Sequence, residues 1–306
     1  MMVRESENES QQTLCRLLGM TRQAYHKRKK RAQSVAASAE IVIQEVVRIR
    51  SVQKCAGSRK LHHLLTEFRA RHLIKMGRDR LNEVLKDHSM QIRKRRRKAP
   101  RTTFSSPWRR YPNLIKDMIG DMGPTRANQV WVSDITYVRV GEGFCYLSLI
   151  TDAYSRKIVG YHLSRDLSAK GCVTALRMAM RDNPEREGLI HHSDRGLQYY
   201  SSAYVKLLAK TRISMTEKSD PLENAIAERV NGILKQELLE KRFESYQEAR
   251  ASIDEAVDIY NNLRPHLSID MLTPAEAHTR TGTLKRLWKN YFSIRPVAQA
   301  AAYAAA

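Results

Sequence analysis

The stretch VWVSDITYVRV, residues 130–140, decides the fold. It is β-branched and aromatic, and its apolar positions alternate for part of its length, which predicts a strand. The Gly-Glu-Gly sequence at 141–143 is typical of a hairpin turn, and residues 144–152 and 157–163 predict a second and a third strand. The chain therefore enters this region as three antiparallel strands.

Helices and strands alternate downstream of this hairpin. Ser168 is expected to cap the first of these helices. The predicted elements are a helix over 168–181, a strand over 189–193, a helix over 201–210, a strand over 212–216, and helices over 222–241 and 245–262. Together with the three antiparallel strands they predict an α/β fold, a mixed five-stranded sheet with flanking helices.

The N-terminal third reads as small helical modules. Leu14, Leu17 and Leu18 have the spacing of one helical face, Gly19 interrupts the pattern, and Thr21 can cap a second, basic helix. This outline fits a helix-turn-helix, and a plain helical hairpin explains it equally well. Further helices are predicted over 36–52, 58–68 and 77–88.

These patterns divide the chain into five regions. A basic block at 91–101 and a proline-containing stretch at 102–126 separate the helical modules from the sheet. The predicted regions are a helix-turn-helix-like segment at 1–35, a basic helical domain at 36–100, a linker at 101–126, a core that contains the sheet at 127–282 and a tail at 283–306.

The net charge of +22 is concentrated at one end of the chain. Residues 1–100 hold 25 Lys and Arg against 9 Asp and Glu, whereas residues 127–306 hold 24 against 21. Such an excess favours a polyanionic partner, because each neutralised phosphate releases condensed counterions. A basic face that serves only solubility is the alternative, and an anionic membrane is a weaker one because no amphipathic helix with aromatic anchors accompanies the charge.

Export, membrane insertion and disulfide bonding are not expected. The apolar runs are too short to span a bilayer, and the polar, acidic start lacks a signal-peptide pattern. The four cysteines are scattered without a C-x-x-C pair, so they are expected to be reduced thiols rather than zinc ligands. The expected compartment is the cytoplasm or a nucleus.

Two aspartates lie in or at the end of apolar strands, where burial of a carboxylate costs free energy. Asp134 lies in the middle of an apolar strand, and Asp194 ends another, in IHHSDRG. A strand end followed by a glycine-containing loop is where α/β sheets commonly present catalytic groups. Either acid alone is also explained as a turn cap or a satisfied core acid.

A third acid comes from the predicted helix over 222–241. Asn224, Glu228, Asn231 and Lys235 fall within a stripe roughly 60° wide at 100° per residue. An exposed polar face explains the stripe too. Three carboxylates suit two Mg²⁺ ions, because hard cations take oxygen ligands. Two ions about 4 Å apart can activate a nucleophile and stabilise a leaving oxygen in phosphoryl transfer.

The chain resembles transposases of the insertion-sequence three family, in their second reading frame, and more distantly retroviral integrases. The stretches that carry the resemblance are LCRLLGMTRQAYHKRKKR (14–31), GSRKLHHLL (57–65), QVWVSDITYV (129–138), YLSLITDAYSRKIVGYHLS (146–164), HSDRGLQYYSSAY (192–204), ENAIAERVNGILKQEL (223–238) and YNNLRPHLSIDMLTPAEA (260–277). The resemblance implies an RNase H-like core, metal-dependent DNA cleavage and strand transfer.

Transferred residue by residue, the family's catalytic and metal-binding triad falls on Asp134, Asp194 and Glu228, and its DNA-contacting basic residue on Lys235. Two departures are present. The interval between Asp194 and Glu228 holds 33 residues, two fewer than is usual, and Glu223 replaces an aspartate. Neither is expected to disturb the register of the helix.

The resemblance also implies partners. These are double-stranded DNA with terminal inverted repeats, target DNA, and further copies of the chain on the DNA. The family's first reading frame is absent here, so activity alone and activity as a fusion with an upstream product both stay open. The predicted DNA-contacting residues are Arg22, Gln23, Lys27, Arg59, Lys60, Arg93, Lys94, Arg95, Arg96, Arg97 and Lys98.

Two other functions compete with a transposase. A DNA-binding regulator without catalysis would explain the basic N-terminal third, and an RNase H-like nuclease or resolvase would explain the three acids. The intact triad argues against the regulator. The basic N-terminal modules argue against a simple nuclease.

Overall fold

The computed structural model of the protein describes residues 11–92, 111–116, 123–184, 187–217 and 221–287. The chain divides into two compact units, the first within residues 1–52 and 56–94 and the second within 53–55 and 95–306. In the part of the chain that is described, no helix is both long enough and apolar enough to cross a bilayer.

The first unit is helical. Its helices are α1 (Gln11–Leu17), α2 (Arg22–Val52), α3 (Ser58–Leu64), α4 (Thr66–Arg71) and α5 (Arg78–Asp87). Its core joins the second half of α2 to α3 and α5 through Val42, Val46, Leu61 and Leu81, which are all buried. A single apolar cluster therefore holds these helices together.

Helix α2 differs from the expected pattern. A second helix following Thr21 and a separate helical stretch at 36–52 were predicted, but one helix runs over Arg22–Val52 and crosses the expected boundary at residue 35. The sequence has no glycine or proline in this range to end a helix. The predicted cap is present, since the Ala24 N–H donates to Thr21 Oγ1 at 3.2 Å.

The second unit contains the predicted sheet. Its strands are β1 (Val130–Val140), β2 (Gly143–Asp152), β3 (Ile158–Ser164), β4 (Ile190–Ser193) and β5 (Arg212–Met215). They lie in the order β3-β2-β1-β4-β5. The first three are antiparallel, whereas β4 pairs in parallel with both β1 and β5. The mixed five-stranded sheet is thus confirmed.

Helices cover both faces of this sheet. They are α6 (Ala169–Asp182), α7 (Ser202–Leu207), α8 (Ala225–Ile233), α9 (Tyr246–Asp258) and α10 (Pro274–His278). Trp131 packs with α6 and α7 on one face, and Leu149 packs with α8 and α9 on the other. Helix α6 approaches β3 so closely that a Cβ at Gly160 would collide with the Ala175 carbonyl oxygen. Only glycine fits at that crossing.

The two long helices predicted after β5 are divided. In place of one helix over 222–241, a 3₁₀ turn (Pro221–Asn224) leads into α8, and a π-helical turn (Leu234–Leu238) follows it. A second π-helical turn, Ile259–Leu263, ends the predicted helix over 245–262. Tertiary contacts accompany these changes of pitch, since Arg264 donates to both carboxylate oxygens of Glu237 at 2.9 Å.

Candidate active site

Strand pairing brings the two predicted aspartates to the same end of the sheet. Ser133 on β1 is the parallel partner of Ser193, the last residue of β4. Asp134 and Asp194 are the next residues on their respective chains. Both side chains are half-buried where the pairing between β1 and β4 ends, and they are near enough for the charge of Asp194 to act on Asp134.

The pKa of Asp134 reflects the nearness of Asp194. Burial and the neighbouring charge of Asp194 raise the pKa of Asp134 to about 7, and the charge of Glu228 acts in the same direction. Hydrogen bonds from the Ile135 backbone and the Asn231 side chain act against that rise. Ionisation of Asp134 beside Asp194 is therefore unfavourable unless a cation lies between them.

The carboxylate of Asp194 is shaped by the loop that follows β4. The Gly196 N–H donates to Asp194 Oδ1 at 3.0 Å and lowers its pKa, but burial is the larger effect and raises the pKa overall. A Cβ at Gly196 would stand 3.1 Å from that same oxygen. The glycine of the HSDRG stretch thus leaves room for the carboxylate to turn back onto the loop.

Helix α8 brings the third acid and an amide to the aspartates. Asn231 Nδ2 donates to Asp134 Oδ2 at 2.6 Å, and Glu228 stands about one turn earlier on the same helix with an exposed side chain. Asn224, just before α8, donates to the Ser133 carbonyl at 3.0 Å. Two amides therefore hold this helix against β1 at the position of the acids.

Lys235, the last residue of the predicted polar stripe, lies beyond the end of α8. Lys235 is half-buried in the π-helical turn after α8, so its seven-residue separation from Glu228 does not follow α-helical pitch. Across the described ranges, no group of three or more His, Cys, Asp and Glu side chains is arranged to hold a metal ion. The acids are neighbours without forming a closed ligand cage.

A buried polar network lies behind the aspartates, and sequence reasoning did not find it. Ser133 Oγ and the Tyr204 hydroxyl lie 2.8 and 2.9 Å from His191 Nε2. Burial lowers the pKa of His191 to about 3 and that of His192 to about 4, so both imidazoles are neutral. The signal in the sequence was a pair of histidines inside an apolar strand.

The predicted DNA-contacting residues of the first unit lie on two helices. Arg22, Gln23 and Lys27 are exposed on the first turns of α2. Arg59 is exposed and Lys60 is half-buried on α3. The basic block at 93–98 lies outside the described residues.

Comparisons with known proteins agree with this architecture. Two families described as integrase core domain match residues 124–219 and 209–274. An insertion element IS600 protein of 31 kDa from Shigella sonnei is 31% identical over 268 residues, which are 86% of this chain and 96% of that protein. A putative transposase for IS986/IS6110 from Mycobacterium tuberculosis is 32% identical over 59% of this chain and 68% of its own length. The transposase InsF for IS3A from Escherichia coli is 33% identical over 54% and 57%.

Two retroviral proteins of known structure are similar to parts of this chain. The HTLV-2 integrase catalytic core domain in complex with magnesium is 18% identical, over 50% of this chain and 97% of that one, with a TM-score of 0.39. A simian T-cell lymphotropic virus intasome chain is 16% identical over 80% and 78%, with a TM-score of 0.44.

The integrase-core match and the mixed sheet with its flanking helices confirm the predicted RNase H-like fold class. The relative from Shigella sonnei extends the similarity over nearly its whole length, into the helical first unit. The predicted resemblance to transposases of the insertion-sequence three family is therefore confirmed. This chain belongs to the insertion-sequence transposases that carry an integrase-type core.

Proposed function

We propose that the protein cleaves DNA at the ends of an insertion sequence and transfers the cut strands to target DNA, using divalent cations held by Asp134, Asp194 and Glu228. One observation carries the proposal. Two half-buried carboxylates are held side by side, and their repulsion and burial bring the pKa of Asp134 to about 7. A site that holds acids together at this cost is suited to a cation.

The donor set fits Mg²⁺, with Mn²⁺ as a substitute. All three acids offer carboxylate oxygens, which hard cations prefer, and a cation would relieve the repulsion between Asp134 and Asp194. When bound, two such ions supply an activated nucleophile and stabilise the leaving oxygen. In this assignment the carboxylates of Asp134, Asp194 and Glu228 would hold the ions.

The surrounding residues orient these acids. Asn231 holds Oδ2 of Asp134 and thereby fixes the plane of that carboxylate. The Gly196 N–H does the same for Asp194. Such outer contacts fix the orientation of metal-binding carboxylates and are typically worth 10- to 100-fold in metal affinity or activity. We assign Lys235 to a phosphate of the DNA next to the acids, where a basic side chain can position the reacting strand.

The first unit is assigned to recognition of the element ends. The exposed residues Arg22, Gln23, Lys27 and Arg59 suit contacts with the phosphate backbone and base edges of terminal inverted repeats, and half-buried Lys60 lies next to Arg59. The basic block at 93–98 is assigned to phosphates. Joining two ends requires at least two protomers on the DNA, and a fusion with an upstream reading-frame product is compatible with this arrangement. Action on the bacterial nucleoid follows from the same assignment.

A cleavage and joining assay tests the function. The purified full chain is incubated with a labelled duplex that carries an element end, with Mg²⁺, with Mn²⁺ or with EDTA. Asp134→Asn, Asp194→Asn and Glu228→Gln are each expected to abolish cleavage while binding survives. The matched control is Glu255→Gln, which alters an exposed acid on α9 and should keep full activity.

The same assay separates the competing functions. A pre-cleaved end supplied with target DNA tests joining directly, and an RNase H-like nuclease would hydrolyse DNA but never join it. A regulator would bind the ends and stay inert with either metal. Near-normal strand transfer by Glu228→Gln would refute the assignment of the third acid.

A further inference from the structure

A cavity at the outer edge of the sheet is separate from the acids. It has a volume of about 630 Å³ and lies over β3, between α6 and α9. Because β3 is an edge strand with β2 between it and β1, it stands about 10 Å from the strand of Asp134. Strand residues Tyr161, His162 and Leu163 form its floor.

The walls of this cavity are basic. Arg177 on α6 and Arg250 on α9 face it from opposite sides, and within the described part of the chain neither guanidinium has an ion-pair partner. A third lining arginine, Arg181, is engaged by Asp182 at 2.6 Å. Two unpaired positive charges therefore converge on one cavity from two helices.

The lining also contains one acid. Burial and the neighbouring carboxylate of Asp254 raise the pKa of Tyr161 to about 12. Burial and the charge of Arg250 lower the pKa of His162, so the imidazole is neutral and adds no positive charge. The two arginines without an ion-pair partner among the described residues therefore outnumber the single carboxylate of the lining, so the cavity keeps a net positive charge.

The edge of β3 is closed at both ends, which limits what the cavity can accept. At one end Asn261 hydrogen-bonds both the N–H and the carbonyl of Ile158, at 2.9 and 3.0 Å. At the other end the Tyr246 hydroxyl donates to the Leu163 carbonyl at 2.6 Å. An extended peptide that adds a strand needs a continuous free edge. A compact anion needs only the gap between these two closures.

We infer that this cavity binds a phosphate group of DNA at a distance from the catalytic acids, with Arg177 and Arg250 as its ligands. Guanidinium groups form charge-assisted hydrogen bonds with phosphate oxygens, and two arginines from different helices can hold one phosphate between them. The inference rests on the proposed function only in taking DNA as the polyanion. It adds a second anchoring point to the core, about two strands away from the first.

The salt dependence of binding tests this inference. Affinity of the full chain for a fluorescent duplex is measured in EDTA at several salt concentrations, so that cleavage plays no part. The Arg177→Gln/Arg250→Gln double variant is expected to weaken binding about threefold to tenfold and to lower the salt slope by about 0.9, the value for one phosphate. Arg212→Gln, an exposed arginine on β5 at the other edge of the sheet, is the matched control and should lower the slope less.

A variant that should strengthen DNA binding controls for misfolding, because a misfolded protein would only bind more weakly. Asp254→Asn removes the negative charge from the lining and should tighten DNA binding by about twofold, because a repulsive Coulomb interaction is lost. Inorganic phosphate should compete with the duplex less effectively in the double variant than in the natural chain.

Two outcomes would overturn the inference. In one, neither the salt slope nor the oligomeric state of the double variant differs from that of the natural chain. In the other, the slope is unchanged while the oligomeric state, measured by light scattering, shifts, which would make the cavity a contact between protein chains. Either result leaves the cleavage assay on the acid variants untouched, so failure here and failure of the proposed function are distinguishable.

Discussion

The two aspartates and the glutamate of the candidate site are held by different means. Asp134 and Asp194 are half-buried, and their separation is fixed by the backbone pairing of Ser133 with Ser193. Glu228 is exposed on the first turn of α8. The aspartates form a preorganised pair, whereas the glutamate depends on the placement of one helix.

This difference teaches which parts of the site tolerate change. A side chain fixed by sheet pairing and a short hydrogen bond has no room for an added methylene, because packed surroundings resist even that volume. A side chain on an exposed helical turn can adjust its rotamer. The asymmetry leads to four expectations, from the largest effect to the smallest.

Changing side-chain length should affect the two kinds of acid unequally. Asp134→Glu is expected to reduce the single-turnover rate of strand joining on the order of 10³-fold, as losses of catalytic groups do. Glu228→Asp should lose about 10²-fold, because the exposed helix leaves freedom to compensate. Equal losses in the two variants would mean that Glu228 is as rigidly placed as Asp134.

Removing the amide that holds Asp134 should weaken metal binding at the site. Asn231→Ala deletes the 2.6 Å hydrogen bond to Oδ2. The Mg²⁺ concentration for half-maximal activity should then rise by about 10-fold or more, as expected for loss of an outer contact to a metal ligand. Asn262→Ala is the control, since it deletes a bond of the same length to exposed Asp258. A similar rise in the control would show that the effect is not specific to the site.

The stability of the metal-free protein should depend on pH through Asp134. Its pKa is raised from 3.8 to about 7 in the folded protein, so the folded state binds the proton more tightly than the unfolded chain does. The corresponding stability is fully present below about pH 4 and is lost as pH rises through 7. Asp134→Asn should therefore be more stable than the natural chain at pH 8, on the order of 2 kcal/mol, and equally stable near pH 4.

Urea unfolding in EDTA at both pH values measures this difference. Glu228→Gln is the comparison, because exposed side chains usually change the free energy of unfolding by less than about 0.5 kcal/mol. A gain for Glu228→Gln as large as that for Asp134→Asn, or no gain at all for Asp134→Asn, would contradict the distinction between the buried pair and the exposed acid.

The sheet was predictable because its signal is local. Alternation along β1 and the turn before β2 lie within neighbouring residues, and the predicted strand over 130–140 matches the structure. The 3₁₀ and π-helical turns on either side of α8 were not predictable in this way. Asn224 reaches the carbonyl of Ser133, 91 positions away, and Glu237 accepts from Arg264, so contacts between distant residues accompany the 3₁₀ and π-helical turns.

The acids were accessible from the sequence for a related reason. A carboxylate inside an apolar strand is conspicuous, as for Asp134, and so is one directly after a buried strand, as for Asp194. The hydrogen bond between Asn231 and Asp134 could not be predicted, because it depends on how α8 is rotated about its axis relative to the sheet. Helical periodicity alone does not give that rotation. Their catalytic and metal-binding roles remain predictions for the assays above.

The smallest expected effect lies behind the aspartates. Tyr204→Phe removes the hydroxyl that lies 2.9 Å from His191 Nε2, and Ser133 Oγ, 2.8 Å from the same nitrogen, stays in place. Because His191 keeps one partner, the loss should be about 1 kcal/mol in the free energy of unfolding, with strand-joining rates within about threefold of the natural chain. Ser133→Ala should cost more activity than Tyr204→Phe, since Ser133 adjoins Asp134 on β1. If Tyr204→Phe instead abolished joining at unchanged stability, the network would have a direct part in the chemistry, and preorganisation by strand pairing would be an incomplete account of the site.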